Sequence, residues 1–291
     1  MSTTYRPTVV TPPPGAVRAA DAALKLWGDE ASGYVNDWIY VSNDRIQQLV
    51  FSLPPGARFV HSERHRTNLG ADELFYVLSG LLVLANPETG EVHRVEPGEA
   101  VWFGPDTWHH GVAHGTEALR VLEFFAPPPA TGSSQPYANT KPYLSTRTYV
   151  QDEWLGAWPA LAAPARERHT QHVLRPTDVL WRLEGEEHEL LVGILLSTER
   201  LTCGSIELLP GRRSDVRTHA GDCVGYVFEG RLNLLLPEGS DGSSAKQWFQ
   251  MEREDGFFVP TSLPYQLFNM TERPVRLLFG VAPTYLRAAD G

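Results

Sequence analysis

The chain carries its own pattern twice. Gly70–Gly80 reads GADELFYVLSG and Ala220–Gly230 reads AGDCVGYVFEG. At an offset of 150, Asp72, Tyr76, Val77 and Gly80 match Asp222, Tyr226, Val227 and Gly230. Leu82, Leu84, Pro87 and Glu88 then match Leu232, Leu234, Pro237 and Glu238. A longer turn in the second copy shifts the offset to 156, and Arg120, Leu122, Ala126 and Pro127 meet Arg276, Leu278, Ala282 and Pro283. A unit of this length is a domain and not a solenoid repeat, so a duplicated domain is expected within the 291 residues. The expected division is 1–135 and 136–291, with the Pro/Ser/Gly/Thr-rich stretch Pro127–Pro142 as connector.

Inside each copy the apolar runs are short and rich in β-forming residues: Ile46–Leu53, Glu73–Leu84, Ala100–Phe103 and Leu119–Phe125. Turn residues punctuate them, with 25 glycines and 23 prolines spread along the chain. That spacing predicts an all-β fold of barrels or sandwiches. Gln151–Leu174, with Trp154, Trp158 and Leu161, is the best place for a short helix.

The net charge of −10 shows no basic stripe, which argues against a nucleic-acid partner. No apolar run reaches the ~18 residues of a membrane span. Met1–Gly15 is polar and proline-rich, without the apolar core of a signal peptide. With only Cys203 and Cys223 there is no disulfide framework, and the cytoplasm is the expected compartment.

Chemistry-bearing residues concentrate in the first copy. His61, Glu63 and His65 lie at i, i+2 and i+4 in a run expected to be extended, which would set all three side chains on one face. Glu73 opens the next strand and His109 follows a tight turn after Gly98. Imidazoles and a carboxylate converging on a barrel interior are what a first-row divalent metal requires. His109 and His110 are adjacent, and only one can point inward: counting from Pro105 favours His110, whereas the register from Gly98, which also aligns without gaps to the second copy, favours His109. Of the aromatic residues, Trp102, Phe103 and Trp108 are candidates for a substrate pocket, with Trp108 at its entrance.

These segments resemble the cupin superfamily, whose two motifs read G-x5-H-x-H-x3,4-E-x6-G and G-x5-P-x-G-x2-H-x3-N. Glu73-x6-Gly80 fits the end of the first, and Gly98 with His109 fits the spacing of the second. The usual histidine pair falls near Thr67 and Leu69, so His61 and His65 would have to serve from further upstream. Gly104, Asp106 and Ala113 stand where the second motif has proline, glycine and asparagine.

The resemblance implies two tandem cupin barrels of jelly-roll type. It also implies one divalent metal per chain held by His61, His65, Glu73 and His109, with iron first and manganese, nickel or zinc as alternatives. A metal-dependent enzyme on a small organic molecule follows, first a dioxygenase of a phenolic or enolic compound. The alternatives are an isomerase or lyase with Glu63 or His114 as acid–base group, and a non-catalytic binding protein. Cupins commonly pair through barrel edges, and a homodimer is the expected assembly.

The second copy has lost most of the set. Cys223 replaces Glu73, Tyr265 replaces His109, and Arg217 and His219 stand at the histidine positions. A structural role is expected for it, the alternative being an anion pocket gripped by Arg217 and His219.

Overall fold

The computed structural model describes residues 9–127, 140–237 and 245–286. The first copy supplies β2 (Ala23–Asp29), β3 (Gly33–Ser42), β4 (Gln47–Leu53) and β5 (Arg58–Phe59), preceded by β1 (Gly15–Val17). It continues with β6 (Asp72–Ser79), β7 (Leu82–Ala85), β8 (Val92–Val95), β9 (Ala100–Phe103), β10 (His110–Ala113) and β11 (Leu119–Ala126). After a short helix, α1 (Ala162–Glu167), come β12 (Gln171–Leu174), β13 (Leu180–Glu184), β14 (Leu190–Ser197) and β15 (Thr202–Leu208). The chain ends with β16 (Asp222–Glu229), β17 (Leu232–Leu236), β18 (Gln247–Met251), β19 (Gly256–Val259), β20 (Gln266–Phe268) and β21 (Val275–Ala282). No helix among the described residues is long and apolar enough to cross a membrane.

These strands form two jelly-roll-like β-barrels in tandem. The large sheets run β12-β9-β6-β11-β4-β3-β2 and β1-β19-β16-β21-β15-β14-β13, and each faces a smaller sheet, β5-β10-β7-β8 or β18-β17-β20. The duplication is visible strand by strand. Glu73 pairs with Phe103 and Phe125, and 150 residues later Cys223 pairs with Val259 and Val281. The outermost strands are exchanged: β1, from the N-terminal side, pairs with β19, while β12, from the connector, pairs with β9. The expected boundary at 135/136 falls outside the described residues, and β1 and β12 both cross it. Each barrel therefore has a sheet completed by the other's sequence.

Period-2 alternation gives each large sheet two apolar faces. One face fills its own barrel, with Leu49, Phe51, Phe75, Val77, Val121 and Phe125 in the first. The other packs against the opposite barrel, joining Tyr40, Val50, Leu74, Leu122 and Phe124 to Leu196, Cys203, Val224, Tyr226 and Leu278 in one continuous core. Each of these large side chains, once buried, contributes about 1.5–3 kcal/mol.

Polar ties frame that interface. Arg120 holds both carboxylate oxygens of Glu254 at 2.6 and 3.2 Å, and Tyr40 donates to the Glu254 carbonyl. Asp222 accepts from Asn43 and Arg45 across the interface, and Asp72 accepts from Thr198 in the reciprocal direction.

Candidate active site

A cavity of about 120 Å³ opens into the first barrel. Its apolar wall includes Trp27, Phe51, Phe59, Phe75 and Phe125. Alternation along three strands of the large sheet also turns acidic groups into it: Asp37 from β3, and Glu123 and Glu73 from the neighbouring β11 and β6. Glu73 and Glu123 hydrogen-bond to each other through their carboxyls, so one of the two must carry a proton. Nδ1 of His109 lies 3.8 Å from Glu73 Oε2.

Burial and the Glu123 carboxyl push Glu73 well above the usual carboxylate range. Burial, and then the negative Asp37, raise Glu123 to about 8. Asp37 is raised to about 7 by burial, against the pull of Lys25, its direct cross-strand partner. His109 is enclosed by Phe59, Phe75 and Phe103, and burial holds its pKa down to about 3. It is a neutral imidazole at physiological pH. The floor is thus a set of proton-bearing and proton-accepting groups in a low-dielectric site, where small changes of environment shift proton positions.

The expected run of ligands before Glu73 is arranged differently. Residues 63–65 form a bend and not a strand. Ser62 N–H donates to the His65 carbonyl at 2.7 Å, and the Ser62 hydroxyl accepts from His65 N–H. A serine hydroxyl competing for backbone groups is a recurrent cause of such turns. The common face required of His61, Glu63 and His65 is lost.

His61 is fully buried and turns toward the connector. Its Nδ1 is 2.6 Å from Nε2 of His110, and its Nε2 is 2.8 Å from the Leu144 carbonyl. His65 places Nδ1 3.1 Å from Asp29 and packs against Trp27. Glu63 and His114 are exposed and away from the cavity. Of the adjacent pair, His109 lines the cavity while His110 faces His61 and Tyr149.

The three aromatic residues expected at the pocket also lie elsewhere. Trp108 is buried against His61. Trp102 points to the opposite face, donating to Asp72 and stacking on His172. Phe103 belongs to the core behind His109. Sequence reasoning missed Asp37, Glu123 and Lys25; the available signal was a charged residue at an inward position of an apolar strand.

The fit to a divalent metal follows from this donor set. Among the described residues no group of three or more His, Cys, Asp or Glu is arranged to hold one. Both ring nitrogens of His61 are engaged, His65 is turned to Asp29, and Glu73 is bonded to Glu123. His61, His65, Glu73 and His109 are therefore not assembled as the ligand set a metal needs.

In the second barrel the matching positions do meet. Arg217 donates to Glu184 at 3.0 Å and to the hydroxyls of Tyr265 and Tyr285, and His219 Nε2 contacts Tyr265 Oη at 2.9 Å. Cys223 Sγ lies 3.7 Å from the same hydroxyl. Glu184 ion-pairs with Arg217, and both line a pocket together with Arg182, Asp215, His219 and Tyr285.

Residues 49–125, the segment that builds this cavity and most of its walls, match the family described as Cupin domain. Solved structures with a similar fold include AerE from Microcystis aeruginosa, at a TM-score of 0.57 and 10% identity over 90% of this chain and 97% of that one. An oxalate decarboxylase of Lactobacillus farciminis in a formate complex gives 0.60 and 13%, over 95% and 88%. An oxalate decarboxylase variant of Bacillus subtilis gives 0.60 and 14%, over 98% and 80%. At these identities the likeness is one of fold. No curated protein sequence matches the chain.

Proposed function

We propose that this is a tandem cupin protein whose first barrel binds a small organic molecule and moves a proton on it, as an isomerase or lyase does. The observation that carries the reading is the hydrogen-bonded Glu73–Glu123 pair facing an aromatic cavity beside His109. A carboxyl pair sharing a proton holds an acid and a base at one place, and a raised pKa brings both forms within reach near neutrality. The neutral His109 stands beside Glu73 and leaves the proton on the carboxyl pair. Phe51, Phe59 and Phe125 exclude water and keep the local dielectric low. Support for the tandem arrangement is the shared strand order and the 150-residue correspondence of Glu73 with Cys223.

Incubation with a panel of small carbonyl and amino compounds in deuterated water, followed by NMR, tests this reading. Deuterium should enter a carbon position of at least one compound, and Glu73→Gln and Glu123→Gln should abolish that exchange while remaining folded. Exchange that survives in both variants would remove the carboxyl pair from the mechanism.

A metal-dependent oxygenase of a phenolic or enolic compound is the second reading. Metal binding is in keeping with a cupin fold, and Glu73 and His109, both at cupin-motif positions, do converge to 3.8 Å. Elemental analysis of the purified chain decides it: about one iron, manganese, nickel or zinc per chain, lost in His109→Ala and Glu73→Ala, would establish that site. Metal-free protein that takes up none on reconstitution would leave the acid–base reading alone.

A further inference from the structure

The second barrel has a pocket of its own, of about 310 Å³, separate from the cavity of the first. Arg217 and His219 line it where Thr67 and Leu69, their counterparts at the offset of 150, line the first cavity. The interior position is filled by Tyr265, which is 2% exposed and whose hydroxyl contacts Arg217, His219 and Cys223. The space therefore lies at the barrel mouth, between β13, the loop Asp215–His219 and Tyr285 after β21.

Three charged side chains form a row along its wall. Alternation along β13, the outermost strand of its sheet, sets Arg182 and Glu184 on one face. Glu184 Oε2 accepts from Arg217 Nη2 at 3.0 Å and from the Tyr285 hydroxyl at 2.7 Å. Arg182 Nε lies 3.4 Å from Glu184 Oε1, which is itself buried from solvent. One carboxylate thus serves two guanidinium groups, and the row holds one positive charge in excess. Arg217 has a side chain only 10% exposed, and its Nε and Nη2 are bonded, whereas its Nη1 makes no hydrogen bond among the described residues. A guanidinium stays charged when buried and presents its donors in a fixed plane that matches a carboxylate. Asp215, the other acid of the lining, is turned onto the backbone N–H groups of Glu186, Glu187 and His188. Its charge is exposed, and water and salt screen it. His219 is not the second cation of the pocket, since its ring contacts the Tyr285 carbonyl and the Tyr265 hydroxyl.

We propose that the mouth of the second barrel binds a small organic monocarboxylate, its carboxylate bridging Arg217 and Arg182 and its apolar end resting on Val216 and Leu286. Bound there, it brings the row to two acids against two guanidinium groups. The barrel that has lost its histidine and glutamate set is then a second ligand site, of different chemistry from the first.

Titration calorimetry of the full-length protein with butyrate, and with butyramide and butylammonium as probes of similar shape, tests it. Butyrate should bind with one equivalent per chain and roughly tenfold or more tightly than butyramide, as one charge-assisted hydrogen bond allows, and butylammonium should bind least. Arg217→Gln should bring butyrate to the level of butyramide. Arg217 is buried, so its variant is checked by thermal denaturation. Arg182 is half-exposed, and Arg182→Gln decides the matter if the first variant does not fold: it should weaken butyrate about threefold or more and leave the melting temperature unchanged. Butyramide or butylammonium binding as tightly as butyrate overturns the carboxylate assignment. Butyrate binding that is unchanged in folded Arg182→Gln overturns the location, and no binding of butyrate overturns the site.

Discussion

Glu73 and Glu123 stand one strand apart on the inner face of the first large sheet, 50 positions apart in sequence, with their carboxyls hydrogen-bonded. Glu123 sits between Val121 and Phe125 on that face, and its open side is the cavity. Burying two carboxyls this close is unfavourable in the ionised form, and the pair is retained at a cost to stability that depends on pH.

The sign of that dependence is fixed. A glutamate titrates at about 4.3 in an unfolded chain, whereas burial raises Glu123 to about 8 and Asp37 to about 7 in the folded one. Between those limits the folded protein binds more protons than the unfolded one, so stability falls as pH rises. Thermal denaturation should show the melting temperature declining from about pH 5 to pH 8. Glu123→Gln, which cannot ionise, should flatten the decline. An equally steep decline in wild type and variant would show that Glu123 is ionised throughout.

His61 is expected to behave as an anchor and not as a metal ligand. It joins His110 to the Leu144 carbonyl, while Arg147 donates to the His61 carbonyl and Tyr143 packs on the His61 ring. Burial, opposed by the Leu144 bond, lowers its pKa and keeps the ring neutral. His61→Ala removes a buried ring and leaves His110 and Leu144 with an unpaired contact, a loss of about 2–4 kcal/mol. Urea denaturation measures that loss, and limited proteolysis should find new cleavage at residues 140–150. A variant as stable as wild type but poorer in bound metal would reverse the assignment.

Much of the fold was legible because the sequence repeats where the structure does. Gly80 and Gly230 both end a strand with positive φ, and Glu73 and Cys223 share a register, so the matched residues are those the backbone constrains. Two site residues, Glu73 and His109, were legible from motif spacing. Asp37 and Glu123 were not, because an acidic residue in a strand ordinarily marks the solvent face, and only the pairing partners reveal which face is buried. The bend at 63–65 was hidden for a related reason: His-x-Glu-x-His alternates like a strand, and the Ser62 hydroxyl that breaks it is a tertiary feature that also reaches Asp29. The exchange of β1 and β12 depends on pairing between distant segments, which local patterns do not encode.

The reciprocal aspartates of the interface give a further test. Asp222 accepts from Asn43, Arg45 and the Thr261 backbone at 2.9–3.0 Å, and its side chain is 7% exposed. Asp222→Ala strands those donors between the barrels and should cost about 2–3 kcal/mol. Since β1 and β12 cross between the sheets, the loss should lower one common transition and not split it. Two separate transitions in denaturant would show that the barrels fold independently.

Glycine at the strand ends is required for two reasons that substitution can separate. At Gly80 φ is +74°, and a Cβ would lie 2.7 Å from the Ala118 carbonyl oxygen. At Gly56 φ is +78°, but nothing lies within 4 Å of the same atom. Gly56→Ala should therefore cost only the strain of a left-handed residue, about 1 kcal/mol, whereas Gly80→Ala adds a clash with fixed backbone and should cost about 2–4 kcal/mol. Gly230→Ala should resemble Gly80→Ala, because its Cβ would meet the Pro274 carbonyl at the same 2.7 Å. Chemical denaturation of the three variants side by side measures the difference, and equal losses at Gly56 and Gly80 would mean that the strand end yields to the added methyl.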